Sequence, residues 1–309
     1  MSEVDASSYQ NDGTEPVSQG ALRAQAYKVW WACILWPVWL FVLPGLWSFS
    51  PWLGLVWIVF PGIWCYCWLG VLMHEASHGY FPSLNNRLAY KILSLNLFMD
   101  PQVFLATHAT HHVAVNTWDD RQIHPLGKIE NRAVRRVFTW LEILLGDIYF
   151  IVAGTFAMWR DPALRRHYRP VLGLVWNLTW MAGLAVVLSA SAQVFQLSFW
   201  QTLGPVLLGV WACALVLRHN ELVQHAGLIV EGDLATRNLA TRNLAPTGLA
   251  SKLFLFLTHD DPAQHVLHHT LTSRYSRPFK DHYALPDGSV FITLPGYFRL
   301  LGRLLKGPA

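Results

Sequence analysis

The chain has 309 residues, of which 53% are hydrophobic and only 14% charged, with 16 tryptophans and a net charge of +4. That balance excludes an ordinary soluble domain and points to the membrane class. With no basic block interleaved with aromatic residues, nothing indicates a nucleic-acid partner.

From the N-terminus, residues 1–27 are polar, carry acids early and lack the basic-then-apolar order of a signal peptide. They are expected to be a flexible tail, and residues 28–309 a single membrane domain. The first span is read over 29–47, with Pro37 and Pro44 tolerated as kinks. An uncharged link, Ser48 to Pro51, leads to a second span over 52–73, about 33 Å long at helical rise and enough to cross a bilayer core. It runs without a turn signal into His74-Glu75-Ala76-Ser77-His78. On a continued helix the two histidines share a face, where two imidazoles can bind one metal ion. In the polar segment 74–170, the apolar stretch Ile148 to Trp159 is too short to span and fits an interfacial or re-entrant helix. The third and fourth spans are read over 171–192 and 199–217. Residues 218–309 close on a basic, apolar tail, Phe298 to Lys306, expected on the membrane surface. Cys33, Cys65, Cys67 and Cys213 lie inside apolar runs and are read as small buried hydrophobes.

Charge orients this layout. All 23 Lys and Arg fall before the first span, in 74–170 or from Arg218 onward, and none in the links 48–51 and 193–198. The positive-inside rule then places both termini and the middle segment in the cytoplasm. All 14 histidines lie on that side. The expected fold is an all-α integral membrane protein, with four transmembrane helices in two hairpins. A cytoplasmic helical cap, 74–170 and 218–309, carries the histidines.

His108-Ala109-Thr110-His111-His112 and His265-Val266-Leu267-His268-His269 repeat one pattern, His-x-x-His-His, which chance gives roughly 0.03 times per chain at this histidine content. On a helix, these positions present three imidazoles to one side. Eight histidines in three clusters exceed the needs of one ion, so two ions are inferred. Imidazole suits iron, zinc, copper or nickel, and the residue count does not choose among them. His225, where the fourth span leaves the membrane as the second does, is a ninth candidate by its mirrored placement. Glu75 and Asp261 are acids positioned to steady ligand imidazoles.

The set His74-x-x-x-His78, His108-x-x-His111-His112 and His265-x-x-His268-His269, hung on two membrane hairpins, resembles the membrane-bound fatty acid desaturase and hydroxylase superfamily over residues 29–285. The resemblance implies two iron ions (Fe2+/Fe3+) held by histidine, O2 as co-substrate and a fatty acyl or related lipid substrate. It also implies that His225 is the extra ligand found between the second and third boxes, and that Asp119 and Asp120 are acidic partners of ligand imidazoles. Acyl desaturases of the animal type usually carry an asparagine four residues before that extra histidine, where it holds a water at one iron. Here Glu221 takes that place, with Asn220 one residue out of phase. Glu221 is therefore a candidate ligand, or else an acceptor for His219 or His225.

The expected activity is O2-dependent fatty acyl desaturation. A hydroxylase, a ketolase or an enzyme forming a terminal alkene or alkyne is the alternative on the same scaffold. A membrane haem or metal-transport protein is the distant one, disfavoured because the four spans contain no histidine. A tunnel between the spans, lined by residues such as Trp64, Trp68 or Phe104, would hold the chain, although each of these aromatics is read first as ordinary core or interfacial belt. No Cys-x-x-Cys pair is present, so electrons are expected from a separate donor of ferredoxin, rubredoxin or cytochrome b5 type. A bacterial inner membrane is preferred to the endoplasmic reticulum. Ala-Thr-Arg-Asn-Leu occurs twice in tandem, at Ala235 and Ala240, and is read as a solvated segment, the alternative being that Arg237 and Arg242 meet a substrate carboxylate or phosphate. His124, His167, His219, His259 and His282 lie outside the boxes, and most of them are expected at the surface.

Overall fold

The computed structural model describes residues 19–81, 84–166, 168–271 and 283–306, with side chains from Tyr27 onward. His167 and His282 lie outside the described residues, as does the expected tail up to residue 18. Helix α1, Gln19–Phe49, starts ahead of the expected boundary, because Ala21 to Ala26 is rich in strong helix formers. After Ser50, α2 runs from Pro51 to Ser77, past residue 73 and through His74. Its stretch Ile58–Ile63 is π-helical around Pro61. Proline has no N–H to give the carbonyl of Trp57, and the Trp39 indole donates to it instead at 2.8 Å.

Shorter helices follow: α3 (Asn86–Asn96), α4 (Pro101–Ala114), α5 (Arg132–Leu145), α6 (Asp147–Arg160) and α7 (Pro162–Arg165). Next come α8 (Pro170–Phe195) and α9 (Phe199–His225), the latter opened by a reciprocal cap between Ser198 and Gln201. The cap continues with α10 (Leu234–Leu239), α11 (Gly248–Leu257), α12 (His265–Thr270) and α13 (Leu294–Lys306). Strands β1 (Arg242–Leu244) and β2 (Val290–Ile292) form one short parallel pair. Among the described residues, helices α1, α2, α8 and α9 are the four long and apolar enough to cross a membrane. The exposed Val171, Leu174, Leu178 and Met181 of α8 suit contact with lipid tails.

The two larger of three hydrophobic cores among the described residues lie between the spans and in the cap. Trp36, Trp39, Leu43, Tyr66, Leu69, Val206 and Cys213 pack between the spans. Leu222, Val223, Leu244, Leu255, Tyr297 and Leu301 pack in the cap. One face of α13 belongs to that second core, so the tail expected on the membrane surface is covered by protein along its apolar side. Helix α6 buries Tyr149, Phe150, Ala153 and Ala157 and is not a span. All four cysteines are free; Cys33 is half-buried and the others are buried.

The tandem repeat adopts two structures. Its first copy falls in α10 and its second in β1. Arg242, expected in solvent, is buried and donates to the carbonyls of Val223 and Ala226 at the end of α9. There it satisfies acceptors that a helix C-terminus leaves open.

Candidate metal centre

Four helix segments converge at one end of the spans. Asp100 caps α4 by accepting from the N–H of Gln102 at 2.8 Å, with Pro101 at the first helical position. That helix carries His108, His111 and His112. Helix α2 carries His74 and ends at His78; α9 ends at His225; and α12 carries His265, His268 and His269.

The nine imidazoles fall into two groups, His74, His78, His108, His112 and His268 in one and His111, His225, His265 and His269 in the other. Within each group, one ring nitrogen per residue lies within 4.8 Å of all the others. In the first group, Nε2 of His108 is 2.9 Å from that of His78 and 3.0 Å from that of His112. Nε2 of His268 is 3.1 Å from those of His74 and His112. The His-x-x-His-His boxes do not present three imidazoles to one side. Residues four apart, His108 with His112 and His265 with His269, stay together, while His111 and His268 each turn to the other group.

Hydrogen bonds behind the rings decide which nitrogen faces inward. Gln122 Nε2 donates to Glu221 Oε1 at 2.8 Å, which leaves Gln122 Oε1 to accept from His108 Nδ1 at 2.7 Å. Asp120 Oδ2 accepts from His111 Nδ1 at 2.8 Å, both side chains being buried. Asn116 donates to the Arg237 carbonyl and to Thr241, so its oxygen accepts from His225 Nδ1 at 3.0 Å. A neutral imidazole with its proton on Nδ1 turns a lone pair inward from Nε2. Nε2 of His225 is buried and has no hydrogen-bond partner among the described residues. Such an acceptor set fits a divalent transition metal.

Burial holds these rings neutral. Outside the spans, desolvation first and neighbouring imidazoles second push the pKa of His108, His268 and His269 well below the ordinary histidine range, and that of His112 to about 2. Neutral imidazole is the form that binds metal.

The acids divide. Asp120 sits behind His111. Asp261 Oδ1 is 3.7 Å from His265 Nδ1, and its other oxygen accepts from Asn220 and Gln224. Glu75 is buried on the helix between His74 and His78. Asp119 instead faces solvent with its side chain 85% exposed and pairs loosely with Arg121; it touches neither group. Glu221 stands outside both histidine groups, its two oxygens taken by Gln122 and by Arg218 rather than by His219 or His225. Arg218 is fully buried and also pairs with Glu142.

Sequence reading missed Gln122, Asn116 and Arg218. The dense polar run Thr117 to His124 after the second box was the available signal for Gln122. Three of the histidines outside the boxes, most of them expected at the surface, are tied into the structure instead. His219 bonds the Tyr297 hydroxyl and the Ile143 carbonyl, His259 bonds the Trp64 carbonyl, and His124 packs on Trp118.

A cavity adjoins the groups. Met73, Met99, Phe104, Phe150 and Leu217 give it an apolar side, and His74, His108, His111, His225 and His265 reach its wall. Phe104 stacks on His108 with 5.0 Å between ring centroids. Trp64 and Trp68 pack on His259 and are not among its lining residues, whereas Phe104 is.

A family model described as fatty acid desaturase matches residues 49–276. That range runs from the link before α2 to beyond α12 and contains all nine histidines. No curated protein and no solved structure matches the chain.

Proposed function

The chain belongs to the fatty acid desaturase family, and from this we propose that it is an O2-dependent fatty acyl desaturase with two irons, one held by each histidine group. Family membership implies an oxidoreductase acting on a lipid chain, and four apolar helices suit an integral membrane protein. The observation that carries the finer reading is the sorting of nine buried or half-buried imidazoles into two converging groups.

Irons bound there would supply the O2 chemistry that an unactivated C–H bond requires and that no side chain provides. The chain's own residues do the rest. Gln122, Asp120 and Asn116 fix the tautomers of His108, His111 and His225. Met73, Met99, Phe104, Phe150 and Leu217 offer a dry surface on which methylene groups lie against the rings. Electrons come from a separate protein of ferredoxin, rubredoxin or cytochrome b5 type. We take the centre to face the cytoplasm, a reading that the distribution of Lys and Arg supports, and the membrane to be a bacterial inner membrane rather than the endoplasmic reticulum.

Metal analysis of purified protein tests the ligand assignment, and lipid mass spectrometry of an expressing host under labelled O2 tests the outcome. We expect two irons per chain and a lipid product with a new double bond and no retained label. Label kept in the product would replace desaturation with hydroxylation or ketone formation. Stoichiometric zinc in active protein would refute the iron assignment.

A further inference from the structure

Three carboxyl groups line the cavity beside the histidines: Asp147, Glu221 and Asp261. Two of them are committed. Glu221 accepts from Gln122 and Arg218, and Asp261 from Asn220 and Gln224. Asp147, in the first turn of α6, is only 3% exposed, yet no other described side chain hydrogen-bonds its carboxyl group. Tyr66 and Cys67 of α2 and Glu221 and Arg218 of α9 are near enough to interact with it electrostatically. Arg218 is held elsewhere, by Glu142, by Glu221 and over the Phe150 ring at 5.3 Å.

Burial favours the neutral form of an acid so placed. Burial first, and the nearby Glu221 second, push its pKa well above the usual carboxylate range, against the smaller pull of Arg218. A neutral carboxylic acid in a cavity is a proton source.

The desaturation read above needs one. R–CH2–CH2–R, O2, two electrons and two protons give R–CH=CH–R and two waters. The electrons come from the separate iron–sulfur or haem donor. Of the four hydrogens in the two waters, two come from the chain and two must enter a buried site from outside.

We propose that Asp147 is the proton donor of this cavity. Resting on the desaturase reading, it gives its proton to an oxygen atom derived from O2 and is left as a carboxylate. A proton from bulk solvent, entering at the edge of the cavity where the Glu221 side chain is 22% exposed, then restores the acid, and a second transfer by the same route supplies the second of the two protons.

Asp147→Asn keeps the shape and removes the transferable proton. In iron-loaded protein we expect unchanged iron content, at least a ten-fold fall in product formed per electron consumed, and release of hydrogen peroxide in its place. Asp147→Glu should restore coupling in part. Infrared spectroscopy gives a readout apart from turnover. Wild-type protein at neutral pH should show the carbonyl stretch of a buried protonated acid, shifted in Asp147→Glu and missing in Asp147→Asn. The proposal falls if that band is absent from wild type, or if Asp147→Asn keeps its product yield per electron and its solvent deuterium isotope effect. Should the asparagine variant fail to fold, the glutamate variant's band shift decides. Wild-type protein without iron or O2 dependence would instead overturn the desaturase reading, and the infrared band is scored independently of it.

Discussion

Asp120→Asn is the sharpest test of how the second histidine group is held. The carboxylate does two jobs: Oδ1 accepts the backbone N–H groups of Gln122 and Ile123 at 3.2 Å each, and Oδ2 accepts from His111 Nδ1 at 2.8 Å. Asparagine has one acceptor and one donor in the same space. If its oxygen keeps the backbone contacts, its NH2 meets the Nδ1–H of His111, and the ring must move its proton to Nε2, the atom aimed at the metal. If the amide flips, the NH2 meets two backbone donors instead. Either arrangement forfeits about 1.5–3 kcal/mol, a hydrogen bond to a charged group in a buried site. Loss of such a partner behind a ligand weakens metal binding about 10–100-fold. We expect a folded protein that keeps iron in the group containing His108 and loses it from the group containing His111. Iron per chain after dialysis against a moderate chelator should fall from two to one, while Asp119→Ala leaves it at two. Equal iron retention in wild type and Asp120→Asn would refute the reasoning.

Acidification should unfold the metal-free protein. His108, His112, His268 and His269 have folded pKa values below the unfolded value of about 6.5, so below that pH the unfolded chain binds more protons. Stability is then lost as pH falls through about 6.5, by about 1.4 kcal/mol per unit for each such histidine; a Tm that stays flat to about pH 5 would contradict this. Arg242→Leu strands two carbonyls at the end of α9 and should cost about 1–3 kcal/mol for each acceptor left unpaired, read as a lower Tm, whereas Arg237→Leu in the other repeat copy should cost far less. Reporter fusions after Ser50 and Gln196 should read outside and one after Asp287 inside; an outside signal from the last would break the topology.

The four spans and the three boxes were legible because each is a local pattern, a run of apolar residues or a fixed histidine spacing. How the boxes divide was not. His111 and His112 are neighbours in sequence yet point about 100° apart on a helix, and only the position of α12 and of the end of α9 shows that they serve different groups. Glu221 illustrates the same limit. Its helical phase with His225 suggested ligation, but Arg218 one turn earlier and Gln122 on a distant loop take both oxygens. Nor could a repeated pentapeptide announce that one copy would be helix and the other strand, since the choice is made by pairing with Val290–Ile292. Asp119 and Asp120 look alike in sequence; one backbone turn sends the first to solvent and the second beneath His111.

The π-helical turn at Pro61 has a bearing on any redesign of α2. An α-helix advances about 100° per residue, and a π segment takes up roughly one extra residue before the phase resumes. The outer half of α2 is therefore out of step with the half that ends at His74. The outer half is fixed by the Trp39 indole on the Trp57 carbonyl, and Gly62 lies so close to Trp39 that an added Cβ would come within 2.6 Å of its ring. The inner half is fixed by its histidines. Straightening the helix, as by Pro61→Ala with regular α hydrogen bonding, would set those two anchors against each other, and either the tryptophan latch or the aim of His74 and His78 would give way. The membrane half of this span thus acts as a rotational setting for the other end, so stabilising the helix and preserving the centre are opposed goals.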